Sequence, residues 1–191
     1  HERLVGSEMC IRDREGTIHM EVRLTLEPVR EQITPRIRIC LLIGEERLYV
    51  VKSIPQMIDA IDTQTPVEYG KGFVFHPEWM RFGTVQERIL KILRALCLAQ
   101  KEAGALLRGA EQRDLALPEP FAEEILRELM NTPFRLKVGE KTVAVKPVRA
   151  RKIPLQFRVS SDLHGLTVVA MFPKEFRPLL PSCSFALVGE N

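Results

Sequence analysis

No apolar run in these 191 residues approaches the ~20 that span a bilayer, so a membrane-crossing helix is not expected. No secretory leader is visible either. His1-Glu2-Arg3 opens directly into strand-like sequence without an apolar h-region, and the expected location is cytoplasmic. The four cysteines, Cys10, Cys40, Cys97 and Cys183, form no close pair, and each sits among apolar residues. Zinc knuckles and redox motifs need short paired spacings, so the four thiols read as small core residues rather than ligands. No repeat, Ser/Gly tract or low-complexity segment marks a linker. What remains is ordinary for a globular protein: 45% hydrophobic, 28% charged and a net charge of +3. The expectation is one domain over 1–191, or two lobes, 1–103 and 117–191, that share a core. No disulfide or metal is needed to hold a core of that size.

The pattern along the chain is α+β, with mostly antiparallel strands at both ends, a long central helix and a second, shorter helix. Ile18, Met20, Val22, Leu24 and Leu26 alternate with His19, Glu21, Arg23 and Thr25, a period of two that predicts a half-buried strand. Leu4 to Arg12 is its expected hairpin partner. Arg36 to Ile43 begins in alternation and ends continuously apolar, as a strand covered on both faces would. Gly44-Glu45-Glu46 then reads as a hairpin turn before β-branched and aromatic residues. Pro55 opens a short helix ending near Asp62.

In the middle, Thr84-Val-Gln-Glu87 predicts a capping box, followed by an apolar stripe at Ile89, Ile92, Leu93, Leu96, Ala99 and Ala103. Leu117-Pro-Glu-Pro starts the second helix, and Asn131-Thr-Pro133 stops it. Two further hairpins are expected, around Gly139-Glu140-Lys141 and around Ser160 to Gly165, and Phe185 to Val188 is placed to close the sheet.

Motifs for chemistry fail on their own terms. Gly70-Lys71-Gly72 lacks the spacing of a Walker A loop, lacks Ser or Thr after the lysine, and runs into a strand, so it reads as a turn. His76-Pro-Glu78 has the spacing of a zinc deaminase without its Pro-Cys-x-x-Cys partner. Ser160, Ser161, Asp162 and His164 are triad residue types crowded into one turn, where they cannot line up as nucleophile, base and orienter. Glu45-Glu46 and Glu123-Glu124 are adjacent carboxylates whose side chains point apart. The chain is therefore read as non-enzymatic, with no cofactor.

The basic run carries the partner signal. Arg135, Lys137, Lys141, Lys146, Arg149, Arg151, Lys152 and Arg158 stand against Glu140 alone, a local net of +7 in a chain of +3. Such asymmetry suits a surface that neutralises phosphates and releases their counterions. Few aromatics interleave with it, which favours backbone contact over base stacking. Arg135, Lys137, Lys146, Arg149, Arg151 and Lys152 are the candidate nucleic-acid-binding residues. An acidic protein surface and a merely solvated face are the open alternatives.

Two blocks then supply a context. Gly44, Arg47, Tyr49, Val51, Lys52 and Ile54 form the first. Tyr69, Gly70, Lys71, Phe73, Phe75, Pro77 and Phe82 form the second. With the helix Ile89 to Leu96, then Leu115 to Pro118, Ile153 to Phe157 and Leu179 to Leu187, this ordered series resembles the helicase-associated domain of bacterial Swi/Snf-type ATPases. The likeness runs from about Ile39 to the C-terminus. It departs at Ser182-Cys-Ser-Phe185, where that family tends to carry tyrosines. The resemblance implies an accessory domain that positions or regulates a DNA-translocating motor in the same chain, through nucleic-acid backbone contacts or through protein docking. It assigns no catalytic residue.

Overall fold

The computed structural model describes residues 19–69, 72–104, 112–132, 134–148, 156–171 and 173–188. The fold among them is α+β, with twelve strands, three helices and mostly antiparallel pairing. The first strand, β1 (His19–Glu27), buries Met20, Val22, Leu24 and Leu26 on one face, as the alternation predicts. It pairs antiparallel along its whole length with β2 (Arg36–Gly44), where Ile37, Ile39, Leu41 and Ile43 share that buried face. The hairpin at Gly44 is present. Leu42, Ile43 and Gly44 pair with Val50, Tyr49 and Leu48 of β3 (Leu48–Val50). Glycine is required at its corner by close approach, since a Cβ on Gly44 would overlap the Arg47 carbonyl.

The first helix, α1 (Ile54–Thr63), starts where the Ser53 hydroxyl accepts the Gln56 N–H at 3.3 Å, with Pro55 in its first turn. The hairpin of β4 (Val67–Tyr69) and β5 (Phe73–Phe75) follows, and Gly72 supplies the φ of +92° that its turn requires. The longest helix is α2 (Thr84–Glu102), as expected, but its cap is shifted by one residue. Gly83 is the N-cap and has no side chain, so only half of a capping box exists. Gln86, not Glu87, reaches back, accepting the Gly83 N–H at 3.0 Å while donating to the Met20 carbonyl at 2.9 Å. That second bond ties the start of α2 to β1. The apolar stripe runs through Ile89, Leu93, Leu96 and Cys97 and stops there; Ala99 and Ala103 are exposed because the last turns project past the core.

After the short β6 (Asp114–Ala116) comes α3 (Glu119–Leu129), which turns Ala122, Ile125, Leu126 and Leu129 inward. The three helices and the buried sheet face share one apolar cluster, which reaches from Met20 to Leu180. One pairing departs from the expected antiparallel pattern. β7 (Phe134–Val138) lies parallel to β1 and antiparallel to β8 (Lys141–Val145). The long helical crossover between β1 and β7 makes a parallel pair possible, as a tight hairpin would not. The main sheet thus runs β3-β2-β1-β7-β8, with β6 beside β3 on the outer edge of β2.

Three C-terminal expectations change. The turn between β9 (Gln156–Asp162) and β10 (Gly165–Met171) is tighter than Ser160–Gly165, and both serines lie in the strand. The Asp162 carboxylate takes the His164 N–H at 2.8 Å and so closes the turn within its own backbone. The last strand, β12 (Ala186–Val188), does not close the main sheet; it pairs with β11 (Phe176–Pro178) as a separate ribbon. Cys40 and Cys97 are buried as expected, whereas Cys183 is exposed in a turn at φ 57°, its N–H bonded to the Leu180 carbonyl. Cys10 and the expected strand Leu4–Arg12 lie outside the described residues.

Candidate nucleic-acid interface

The sheet has a second face, opposite the helices, and its side chains are set by the same period of two. Strand register places them in rows. One row reads Asp114, Cys40, Arg23, Arg135, Ala144 across five strands; the next reads Ala116, Arg38, Thr25, Lys137, Thr142. Glu21 with Leu42, and Glu27 with Arg36, continue the face above and below. Adjacent strands lie about 5 Å apart, so Arg38 and Lys137 project from points roughly 10 Å apart with Thr25 between them. Of these side chains only Cys40 is buried; the others are half-buried or exposed.

Five cations on this face (Arg23, Arg36, Arg38, Arg135, Lys137) meet three carboxylates (Glu21, Glu27, Asp114). Arg135 pairs with Glu21 through its Nε. Arg38 donates to the Asp114 carbonyl oxygen at 2.8 Å and lies 3.8 Å from Glu27. Such partly exposed pairs are worth at most about 1 kcal/mol. Arg23 is the central cation, and its Nη2 lies 3.7 Å from the Cys40 sulfur, a weak acceptor. Burial pushes the Cys40 thiol up, against the opposing pull of Arg23, so the sulfur stays neutral and leaves the arginine its charge. A guanidinium with donors to spare beside a second arginine suits an oxyanion, and the face as a whole suits a polyanion.

The predicted basic run is split by the fold. Arg135 and Lys137 stand on this face, and Lys146 is exposed just past β8. Lys141 belongs to the opposite parity of β8, and Arg158 lies on the separate β9–β10 hairpin. Arg149, Arg151 and Lys152 lie outside the described residues. The structure adds Arg23, Arg36 and Arg38, which in the sequence are only the polar side of two strands. The signal for Arg36 and Arg38 is their spacing of two; Arg23 has none, since Glu21 and Thr25 flank it at that period. That these arginines join Arg135 and Lys137 depends on the β1–β7 pairing across more than a hundred residues.

Elsewhere the motifs resolve into structure. The blocks around Tyr49 and Phe73 pack together: Tyr49 stacks on Phe73 at 5.5 Å with rings 3° from parallel, and the Arg47 guanidinium lies 5.6 Å over Tyr49. Lys52 is exposed, and Lys71 lies outside the described residues. His76 stacks on Trp79 at 3.8 Å and pairs with Glu78 at 3.2 Å, closing a turn of 3-10 helix. Glu123 pairs with Arg127 one helical turn on. No group of three or more His, Cys, Asp or Glu side chains is placed to hold a metal ion among the described residues. No described helix is long and apolar enough to cross a membrane. No protein-family model, no curated protein and no solved structure matches the chain.

Proposed function

We propose that this chain is a non-catalytic accessory domain of a DNA-translocating ATPase of the bacterial Swi/Snf type, and that it meets nucleic acid through backbone phosphates on the open face of its mixed sheet. The observation that carries the reading is the pair of side-chain rows in which Arg23 and Arg38 from the N-terminal hairpin stand beside Arg135 and Lys137 from the basic run. The ordered blocks of family likeness supply the motor, which is the expected partner in the same chain. Cations spaced by strand geometry, with no aromatic among them, suit phosphates rather than bases, so the contact fixes position without reading sequence. A docking module that never touches DNA is the second reading, favoured by the uncovered apolar residues of the β9–β10 hairpin.

The test is duplex DNA binding by fluorescence anisotropy from ~50 mM salt upward, where non-specific binders are strongest. Wild-type protein should bind different sequences about equally, with affinity falling steeply as salt rises. Replacing Arg36 and Lys137 with Gln should weaken binding and flatten the log–log salt slope by about 2, roughly one per lost phosphate contact. The melting temperature should hold, because neither side chain has a described ion-pair partner that the fold depends on. Absence of wild-type binding at ~50 mM salt would leave docking as the better account. ATP hydrolysis by the same protein, with or without DNA, should stay at background; turnover abolished by mutating Lys71 would overturn the non-catalytic reading.

A further inference from the structure

A groove of about 760 Å³ opens where the β1–β2 connection, the β7–β8 turn, β10 and β11 converge. Its walls include Leu26 and Val138, which pair across β1 and β7 on the core-facing side of the sheet. It therefore lies on the opposite side from the cationic rows, and no described helical residue lines it. Pro28, Pro35, Pro173 and Pro178 stiffen the rim, since each fixes its own φ and pre-forms the shape. Apart from Lys174 and Arg177 the described lining carries no charged side chain, and neither charge is an anion.

β10 gives this groove more than its side chains. Val169 and Met171 point into it from alternate positions and remain partly exposed. Among the described residues β10 pairs with β9 alone, and its other edge has no described strand partner. A two-stranded ribbon is marginal in water, and a third strand is what would complete it. We infer that the groove and this edge of β10 together form a docking site for an extended, apolar peptide segment of a partner protein that carries an acidic residue at the Lys174 end. Backbone pairing to β10 supplies the affinity, and alternate side chains entering the groove supply the selectivity, the mode of strand addition. Lys174, exposed at the rim, sets the sign of the charge that is accepted.

The probe is a fluorescein-labelled hexapeptide of alternating valine and threonine that begins with glutamate, compared with the same peptide beginning with lysine. The glutamate peptide should bind saturably, one per chain, about tenfold more tightly than the lysine peptide. Lys174→Glu should reverse that preference, and Val169→Asp should abolish binding of both. On binding, the amides of 165–171 should gain protection from hydrogen exchange. Equal binding of the two peptides, indifference to Lys174→Glu, or no saturation by ~1 mM would overturn the proposal. So would dodecanoate binding the groove while neither peptide does, which would make it a site for a small amphiphile. Should Val169→Asp misfold, Lys174→Glu still decides, because that side chain is exposed. Lys174 and Val169 lie off the cationic face, so failure here and failure of DNA binding are separate outcomes.

Discussion

Two antiparallel hairpins of this chain carry the same alternation and meet opposite fates. In β1–β2 every second residue is apolar and buried, and Ile39, Leu41 and Ile43 lose all contact with solvent. In β9–β10 one face aligns Phe157, Val159, Leu166 and Val168 by register, yet Phe157 is 65% exposed, Val159 61% and Val168 60%. At the tip Leu163 is wholly exposed. What separates them is cover. Three amphipathic helices lie over β1–β2, each with its own apolar stripe, whereas among the described residues nothing lies over the outer face of β9–β10. Alternation in a sequence reports a face that gains from being covered. It does not report what covers it.

The largest effects that sharpen this contrast belong to the covered half. Leu93→Ala, at the centre of α2 with no exposed surface, should cost about 2–5 kcal/mol, because the lost contacts and the residual cavity add. Gly44→Ala should cost about 3 kcal/mol, since its Cβ would meet backbone that cannot step aside as a flexible side chain could. Urea unfolding followed by circular dichroism checks both. A loss below about 1 kcal/mol for either would mean that the sheet and helices are packed less tightly than this core implies.

Much of the covered half was legible in sequence, and the reason is local. Periods of two and 3.6, Pro55, the Gly44 turn and the stop at Asn131 to Pro133 each depend on neighbours a few residues away. The cap of α2 was misplaced because Thr84 resembles an N-cap, and Gln86 was chosen instead by a long-range bond to Met20. The candidate site was half legible for the same kind of reason. Arg135 and Lys137 stood out as part of a charge run, while Arg23 and Arg38 became their neighbours only through the parallel β1–β7 pair. Charge density is a property of sequence; a charged face is a property of pairing. The separate β11–β12 ribbon was missed on the same ground, since three-residue strands carry too little pattern to name a partner.

Alkaline pH should separate the covered core from the β9–β10 hairpin with a smaller effect. Burial pushes the Tyr69 hydroxyl from 10.0 up to about 12 and the Cys97 thiol from 9.0 up to about 11, Asp59 adding to the latter. Both groups stay neutral in the fold and ionise more readily once unfolded. Stability is therefore full below about pH 9 and falls as pH rises through the two folded values, because the unfolded chain then binds fewer protons. Melting followed from pH 8 to 11 should show that decline. Tyr69→Phe should flatten its upper part and cost little at pH 7, as the hydroxyl has no hydrogen-bond partner among the described residues. No tyrosine or cysteine lies between 156 and 171, so substitutions in β9–β10 should leave the alkaline limb unchanged. A decline moved by hairpin variants would mean that the hairpin is coupled to the core.

The smallest stability effect belongs to the uncovered face, and it tests the comparison most directly. Phe157→Ser combined with Val168→Thr removes two large exposed apolar groups from adjacent positions on that face. Surface substitutions away from packing features lie within about 0.5 kcal/mol, and neither residue belongs to the core cluster. Urea unfolding of the double variant should therefore superimpose on wild type, while binding of the dye ANS, which reports exposed apolar surface, should drop. A loss above about 2 kcal/mol would place this face under cover in solution, at the scale expected of a buried aromatic rather than a surface one. Repeating the titration at several protein concentrations then tells which cover it is. A loss that appears only at high concentration comes from a second copy of the chain, by mass action, and one that is independent of concentration comes from the chain itself.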